Sequence, residues 1–312
     1  MLPLVIAHRG ASGYRPEHTL ASYRLAIALG ADYVEPDLVS TRDGVLVARH
    51  ENEIGGTTDV AARPEYADRL TTKVVDGRIL TGWFVEDFTL AELKTLRAVE
   101  RVPELRPRNT RYDGRYDVPT FDEILALVAE ESHRLGRPIG VYPETKHPSY
   151  FADQGLALEE PLLDALARHE MAGPDAPVFL QSFEAGNLRW LRARTALPLV
   201  QLVSADGRVD RVTATGLRRV ASYADAVGVA KDLVLPRDPR TGALAEATPL
   251  VADAHAVGLD VHVWTLRDEH DSIEETQAFL DAGVDGLFTD HPDTTLEACR
   301  LHASSVLVRA AR

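Results

Sequence analysis

The chain has 312 residues, 45% of them hydrophobic and 26% charged, with a formal net charge of -14. That length supports one large core, and the negative balance excludes a nucleic-acid backbone as a natural partner. Cys299 is the sole cysteine, which excludes an intrachain disulfide and a cysteine-based metal site, and no apolar stretch approaches the ~18 residues of a membrane span.

The first element is an apolar run from Leu4 that ends abruptly in His8, Arg9 and Gly10. Packing gives a buried strand no reason to end this way. A reactive strand end has one: an imidazole that titrates near neutrality, a guanidinium that holds an oxyanion, and a glycine that lets the backbone turn. The strand starts so early that no signal peptide fits before it, so a cytoplasmic protein is expected. A chain that had lost its leader would read the same and suit an extracytoplasmic site. Thr19–Leu29 follows as a helix with Leu20, Tyr23 and Ile27 on one stripe, stopped by Gly30.

The second strand, Tyr33–Asp37, ends in Glu35 and Asp37. Residues two apart share a strand face, so these carboxylates repel unless a cation lies between them. Pro36, between them, removes one ladder donor, which is tolerable at a strand end. Arg42-Asp43-Gly44 predicts a tight turn that folds Val45–Arg49 back as a hairpin ending at His50. From Glu51 to Val118 the rhythm breaks. This stretch is polar and dotted with aromatics, and it reads as an insertion on the loop side of the sheet. Thr89 with Glu92, and Thr120 with Glu123, form capping boxes, the second opening a helix that runs to Gly136.

The strand Ile139–Glu144 delivers Glu144, with Lys146 just beyond. Val178–Ser182, Leu199–Leu202, Ala226–Ala230, Asp260–Thr265 and Gly286–Asp290 complete the strands, with helices at Pro249–Val257 and Ile273–Ala282 among them. Short, near-continuously apolar strands alternating with helices predict a parallel sheet covered on both faces. The strand count fits a closed (β/α)8 TIM barrel with an inserted subdomain after strand two. One domain over residues 1–312, with the insertion at 51–118, is expected. A doubly wound open sheet ranks lower, because no glycine-rich phosphate loop follows strand one.

Ionisable residues thus end several strands. Glu35, Asp37 and Glu144 form an oxygen-only ligand set suited to one divalent cation, Ca²⁺ or Mg²⁺. His8 and His50 can divide acid and base roles, while Arg9 and Lys146 hold non-bridging phosphate oxygens. Lys146 reads equally as a simple partner of Glu144. Trp264 is a candidate wall of the site, with core packing as its other reading. His18, His133, His169, His255 and His302 read as structural. Strand-end residues are expected to sit at an exposed rim and to contribute little to the core. No covalent nucleophile is evident, since Ser12 lies beyond the turn. Two histidines, three carboxylates and two cations together describe a phosphodiester-cleaving site.

HRGA, PEHT, GADYVEPD, TRDGVLVARH, VYPETK, QSF, HVWTLRDE and GVDGLFTDHPD, in that order over nearly the whole chain, resemble the glycerophosphodiester phosphodiesterases. The resemblance implies a phosphatidylinositol-phospholipase-C-like barrel with the family's inserted subdomain. It implies a metal on Glu35, Asp37 and Glu144, catalysis by His8 and His50, and phosphate held by Arg9 and Lys146. The expected substrate is a small glycerophosphodiester of the glycerophosphocholine or glycerophosphoethanolamine type. The products would be sn-glycerol 3-phosphate and an alcohol, formed by attack of the substrate's own 2-hydroxyl. The chain departs from the family in having His50-Glu51 for HD and PEHT for PENT. Three rivals stand beside this reading. A phospholipase D-like enzyme needs an exposed apolar lip, which the polar insertion does not suggest. A glycosidase has no use for paired histidines. A catalytically inactive phosphate- or metal-binding barrel has no use for a second proton-transfer group.

Overall fold

A computed structural model describes residues 3–310 except Arg208, with side chains described up to residue 306. The extreme ends of the expected 1–312 span lie outside the described residues. The strands in chain order are β1 (Leu4–His8), β2 (Tyr33–Glu35), β3 (Asp37–Ser40), β4 (Leu46–Ala48), β5 (Thr71–Val75), β6 (Arg78–Gly82), β7 (Gly140–Val141), β8 (Glu144–Thr145), β9 (Leu180–Ser182), β10 (Leu199–Val203), β11 (Ala226–Ala230), β12 (Asp260–Leu266) and β13 (Gly286–Thr289). The α-helices are α1 (Leu20–Leu29), α2 (Leu90–Leu93), α3 (Phe121–Leu135), α4 (Pro148–Asp153), α5 (Glu159–Arg168), α6 (Ala185–Arg192), α7 (Ala214–Val220), α8 (Leu250–His255), α9 (Ile273–Asp281) and α10 (Pro292–Ala310).

The sheet closes on itself. β1 lies parallel between β13 and β2, and β2 pairs with β7. β3 pairs with β8, and a parallel series runs from β8 through β9, β10, β11 and β12 back to β13. The protein is a β/α barrel, and closure rules out the open sheet. Two expected strands are each split at a proline. Pro36 separates β2 from β3, and Pro143 separates β7 from β8. Neither proline has an N–H to give the ladder. The ladder nevertheless continues through their neighbours, since Tyr142 N donates to Val34 O and Glu144 N to Pro36 O, both at 2.9 Å.

The barrel interior is packed rather than hollow. Ile6, Tyr142, Val200, Ala226 and Phe288 form one buried cluster, and the Tyr142 and Phe179 rings stack at 4.9 Å. A larger cluster fills the layer between strands and helices, including Tyr23 and Ile27 of α1, the stripe read from sequence. Thr120 and Glu123 form the expected capping box at α3, and Thr89 and Glu92 the one at α2.

Residues 51–118 hold the β5–β6 hairpin, α2 and several single turns. Their Ile54, Val85, Phe88, Leu93, Leu96 and Val118 side chains join the same apolar cluster as the barrel's. The stretch, read from sequence as polar and dotted with aromatics, also exposes aliphatic side chains. Val74 and Ile79 on the hairpin are 60% and 76% exposed, and Leu70 beside it is 50% exposed. An antiparallel hairpin alternates its faces, and only one face of this one packs down.

Candidate active site

Strand register brings the site together. His8, the last residue of β1, stands level with Glu35, while Asp37 stands level with Glu144 and Glu144 with Gln181. Side chains from four neighbouring runs therefore gather at the same end of the barrel, on two adjacent levels. Beyond His8 the chain turns sharply, with Arg9 at φ 59° and Gly10 at φ 87°. A side chain at residue 10 would lie 2.5 Å from Ser22 Oγ, so the turn needs glycine on two counts. The turn aims the Arg9 N–H at Glu35 Oε2, 3.0 Å away.

His8, Arg9, Glu35, Asp37, His50, Glu144 and Trp264 line one cavity of about 250 Å³. Lys146 is not on that lining. It is buried beside Glu144, with Nζ 2.9 Å from Glu144 Oε1, the simpler of its two readings. The expected exposed rim holds only in part, since the His50 side chain is 30% exposed while the other groups are buried. His8 is 8% exposed, Glu35 4%, Asp37 0% and Glu144 5%.

Oxygen atoms of Glu35, Asp37 and Glu144 lie within 4.8 Å of one another. Burial, joined by the charges of Asp37 and Glu144, raises Glu35 well above the carboxylate range. Burial raises Glu144 to about 8, with Asp37 adding to the rise and Lys146 opposing it. Burial would raise Asp37 too, but Lys146 and the His18 hydrogen bond outweigh it and hold Asp37 low. Asp37 Oδ1 has no hydrogen-bond partner. Three crowded buried carboxylates, one with an orphaned oxygen, are the donor set of a hard divalent cation, and the residues fit that group.

Each histidine has a carboxylate behind it. His8 Nδ1 lies 2.6 Å from Asp290 Oδ1, and His50 Nδ1 lies 2.5 Å from Glu51 Oε1. A carboxylate only accepts, so each Nδ1 donates and each Nε2 keeps its lone pair. Burial, then the charge of Arg9, pushes His8 down to about 4 and His50 to about 3, so both rings are neutral near pH 7.

The sequence reading missed several partners. Asp290, at the end of β13, was quoted within a motif but given no role. Glu51 entered only as a departure from the family. Gln181 donates to Glu35 Oε1 at 2.8 Å. His18, read as structural, is fully buried with Nε2 3.0 Å from Asp37 Oδ2 and Nδ1 2.7 Å from the Tyr23 hydroxyl. The available signal was a titratable residue closing an apolar run, which Asp290 shows as plainly as Asp37 does.

Comparison with known proteins now decides the family. The model of the glycerophosphoryl diester phosphodiesterase family matches residues 8–294. The chain belongs to that family. A glycerophosphodiester phosphodiesterase of Arabidopsis thaliana is 34% identical over 319 residues, covering 92% of this chain and 83% of the relative. One from Haemophilus influenzae is 30% identical over 332 residues, covering 94% and 89%. Among solved structures, an Oleispira antarctica phosphodiesterase in complex with the product sn-glycerol-3-phosphate superposes with a TM-score of 0.67. It is 23% identical and covers 95% of this chain and 96% of that one, which shows a shared fold. No helix among the described residues is long and apolar enough to cross a membrane.

Proposed function

We propose that this member of the family hydrolyses small glycerophosphodiesters of the glycerophosphocholine or glycerophosphoethanolamine type to sn-glycerol 3-phosphate and an alcohol. The observation that carries the reading is the pair of carboxylate-backed histidines, His8 and His50, lining one cavity with three clustered carboxylates. The product bound in the Oleispira structure agrees with the glycerol phosphate side of this assignment.

Glu35, Asp37 and Glu144 would hold one divalent cation, Ca²⁺ or Mg²⁺. When bound, it would neutralise charge on the phosphate and make a nearby hydroxyl more acidic. Arg9 holds a non-bridging phosphate oxygen, with Lys146 adding charge from behind Glu144. One histidine Nε2 accepts the proton of the substrate's 2-hydroxyl as that oxygen bonds to phosphorus. The other histidine protonates the departing alcohol oxygen as its phosphorus bond breaks. Water then opens the cyclic phosphate with the two roles exchanged. Trp264 walls the cavity on the side of the leaving alcohol. The chain acts as one unit, residues 51–118 serving as an insertion that selects substrates, and nothing in this chemistry requires nucleic acid or a second chain.

Release of sn-glycerol 3-phosphate from glycerophosphocholine tests the reading. Chelation should abolish it, and Ca²⁺ or Mg²⁺ should restore it. His8→Ala and His50→Ala should each lower kcat by about 10²- to 10⁴-fold. Full turnover in chelator, or in either variant, would overturn the assignment.

One observation favours a second reading, a lipid phosphodiesterase. The exposed Val74 and Ile79 belong to the hairpin whose turn residue Asp76 meets His147 Nδ1 at 2.6 Å, against the cavity of Glu144 and Lys146. If that edge loads lipid, Val74→Asp with Ile79→Asp will slow turnover of a long-chain lysophospholipid and leave glycerophosphocholine turnover alone. The first reading expects little lysophospholipid turnover at all.

A further inference from the structure

The insertion sends two arginines into the site, Arg101 and Arg106, from the stretch between α2 and α3. Each reaches the carboxylate behind one histidine. Arg101 Nη1 and Nη2 donate to Glu51 Oε1 and Oε2 at 3.1 and 2.7 Å. Arg106 Nη2 donates to Asp290 Oδ2 at 2.5 Å, while the opposite oxygen, Oδ1, faces His8. The result is two parallel chains of contact: Arg101 to Glu51 to His50, and Arg106 to Asp290 to His8.

Neither arginine is a casual surface partner. Arg106 also grips Glu269 Oε1 at 2.6 Å and the Ser12 carbonyl at 3.0 Å, and its side chain is 9% exposed. Arg101 also forks onto Glu17 through Nε at 2.7 Å and Nη2 at 2.6 Å, and Glu17 in turn accepts from Arg9. Arg267 adds a second cation to Asp290 at 2.9 Å.

We propose that Arg101 and Arg106 are positioning residues, each fixing the carboxylate that orients one histidine of the acid–base pair. This rests on the acid–base reading of His8 and His50. A carboxylate with one hydrogen bond from imidazole is free to rotate, and where it is buried, as Asp290 is and the 35%-exposed Glu51 is only in part, it is costly to keep charged. A guanidinium on its remaining lone pairs fixes the plane and keeps the charge. The imidazole then holds one tautomer with Nε2 toward substrate, the orienting service a buried carboxylate gives in other histidine-based sites. Because both arginines come from the insertion, the proton-transfer pair is complete only when the insertion is seated on the barrel.

The alternative is that the arginines merely staple the insertion down. A substrate with a good leaving group separates the two. Glycerophosphocholine loses a poor leaving alcohol that needs a proton, whereas the p-nitrophenyl ester of glycerol 3-phosphate loses one that does not. We expect Arg101→Gln and Arg106→Gln to lower kcat on glycerophosphocholine by about 10- to 100-fold with KM within about twofold. On the p-nitrophenyl ester one of the two should recover most of its loss, and the matching histidine variant should recover with it. Arg101→Gln should add nothing to His50→Ala but multiply with His8→Ala, and Arg106→Gln should do the converse, because groups acting as a unit are not additive. Arg106→Lys, which keeps the charge without the fork, should fall between wild type and Gln, and serves if the Gln variant does not fold. Unchanged kcat, a pure rise in KM, or equal losses on both substrates for both arginines would overturn the proposal. If the histidine variants are inactive while the arginine variants turn over normally, this inference alone fails. If the histidine variants are fully active, the acid–base reading fails with it.

Discussion

His18 spends both ring nitrogens inside the protein, one on Asp37 and one on Tyr23. At 0% exposure it cannot meet substrate, so its work is to aim the Asp37 carboxylate. A partner behind a ligand typically contributes 10- to 100-fold in affinity. His18→Gln is therefore expected to weaken Ca²⁺ or Mg²⁺ binding by about that factor, read by calorimetric titration of the metal-free protein. Undiminished affinity would remove Asp37 from the ligand set. This residue also marks where sequence stops being readable. His8, Glu35, Asp37 and Glu144 announce themselves because a charged group ends an apolar run. His18 sits ahead of a helix, where an isolated histidine has no such context. Asp290 carries the same local signal, but its pairing with His8 depends on which strand ends the closed barrel sets side by side, a long-range fact that local pattern does not carry.

At the scale of elements, capping chemistry was the most legible signal. Thr120 accepts from Glu123 N at 3.1 Å, and Glu123 returns a carboxylate oxygen to Thr120 N at 2.7 Å. Thr120→Ala should cost about 1 kcal/mol, the usual worth of an N-cap, as a lower urea midpoint at unchanged slope. No loss would mean that tertiary packing of Phe121, Ile124 and Leu125, all fully buried, sets the start of α3 without help from the cap. Strand ends were legible too, but their interruptions were not fully so. Pro36 was read as a local flaw at a strand end. In the structure it lies beside a second break at Pro143, with Glu144 N donating to Pro36 O at 2.9 Å. Helices α4 and α6 were not placed from sequence, and both are short and lack a side-chain cap at the N-terminus. Residues 51–118 stood out by their broken rhythm, yet how they meet the barrel was not legible. Its apolar residues are scattered over a long stretch and meet the barrel only after folding.

The whole molecule was read from alternation of strands and helices, and the closed barrel follows from it. What no pattern revealed is how much titratable material closure buries. His262, fully buried within the barrel, places Nδ1 2.6 Å from the Tyr142 hydroxyl and leaves Nε2 without a partner. Burial pushes it down to about 4, alongside His8 at about 4 and His50 at about 3. In the unfolded chain these rings bind protons near pH 6.5. The folded values lie below the unfolded one, so on acidification the unfolded chain takes up protons first. The stability these rings contribute is therefore complete above about pH 6.5 and is lost progressively as pH falls toward 4, while Glu35 and Glu144, both raised, act in the opposite sense. At 1.36 kcal/mol per unit, the shift at His262 corresponds to about 3 kcal/mol over that window. Denaturant unfolding at steps between pH 7 and 4.5 reads the net slope, and the difference between two proteins isolates one ring. His262→Gln can still bond Tyr142 and does not titrate, so its stability should fall less steeply by about one proton's worth of slope. Parallel curves for the two proteins would show that His262 is not among the groups that charge on acid unfolding. Comparing slopes rather than absolute stabilities cancels the shared contributions of His8, His50 and the carboxylate cluster, and it removes any constant penalty of the substitution itself.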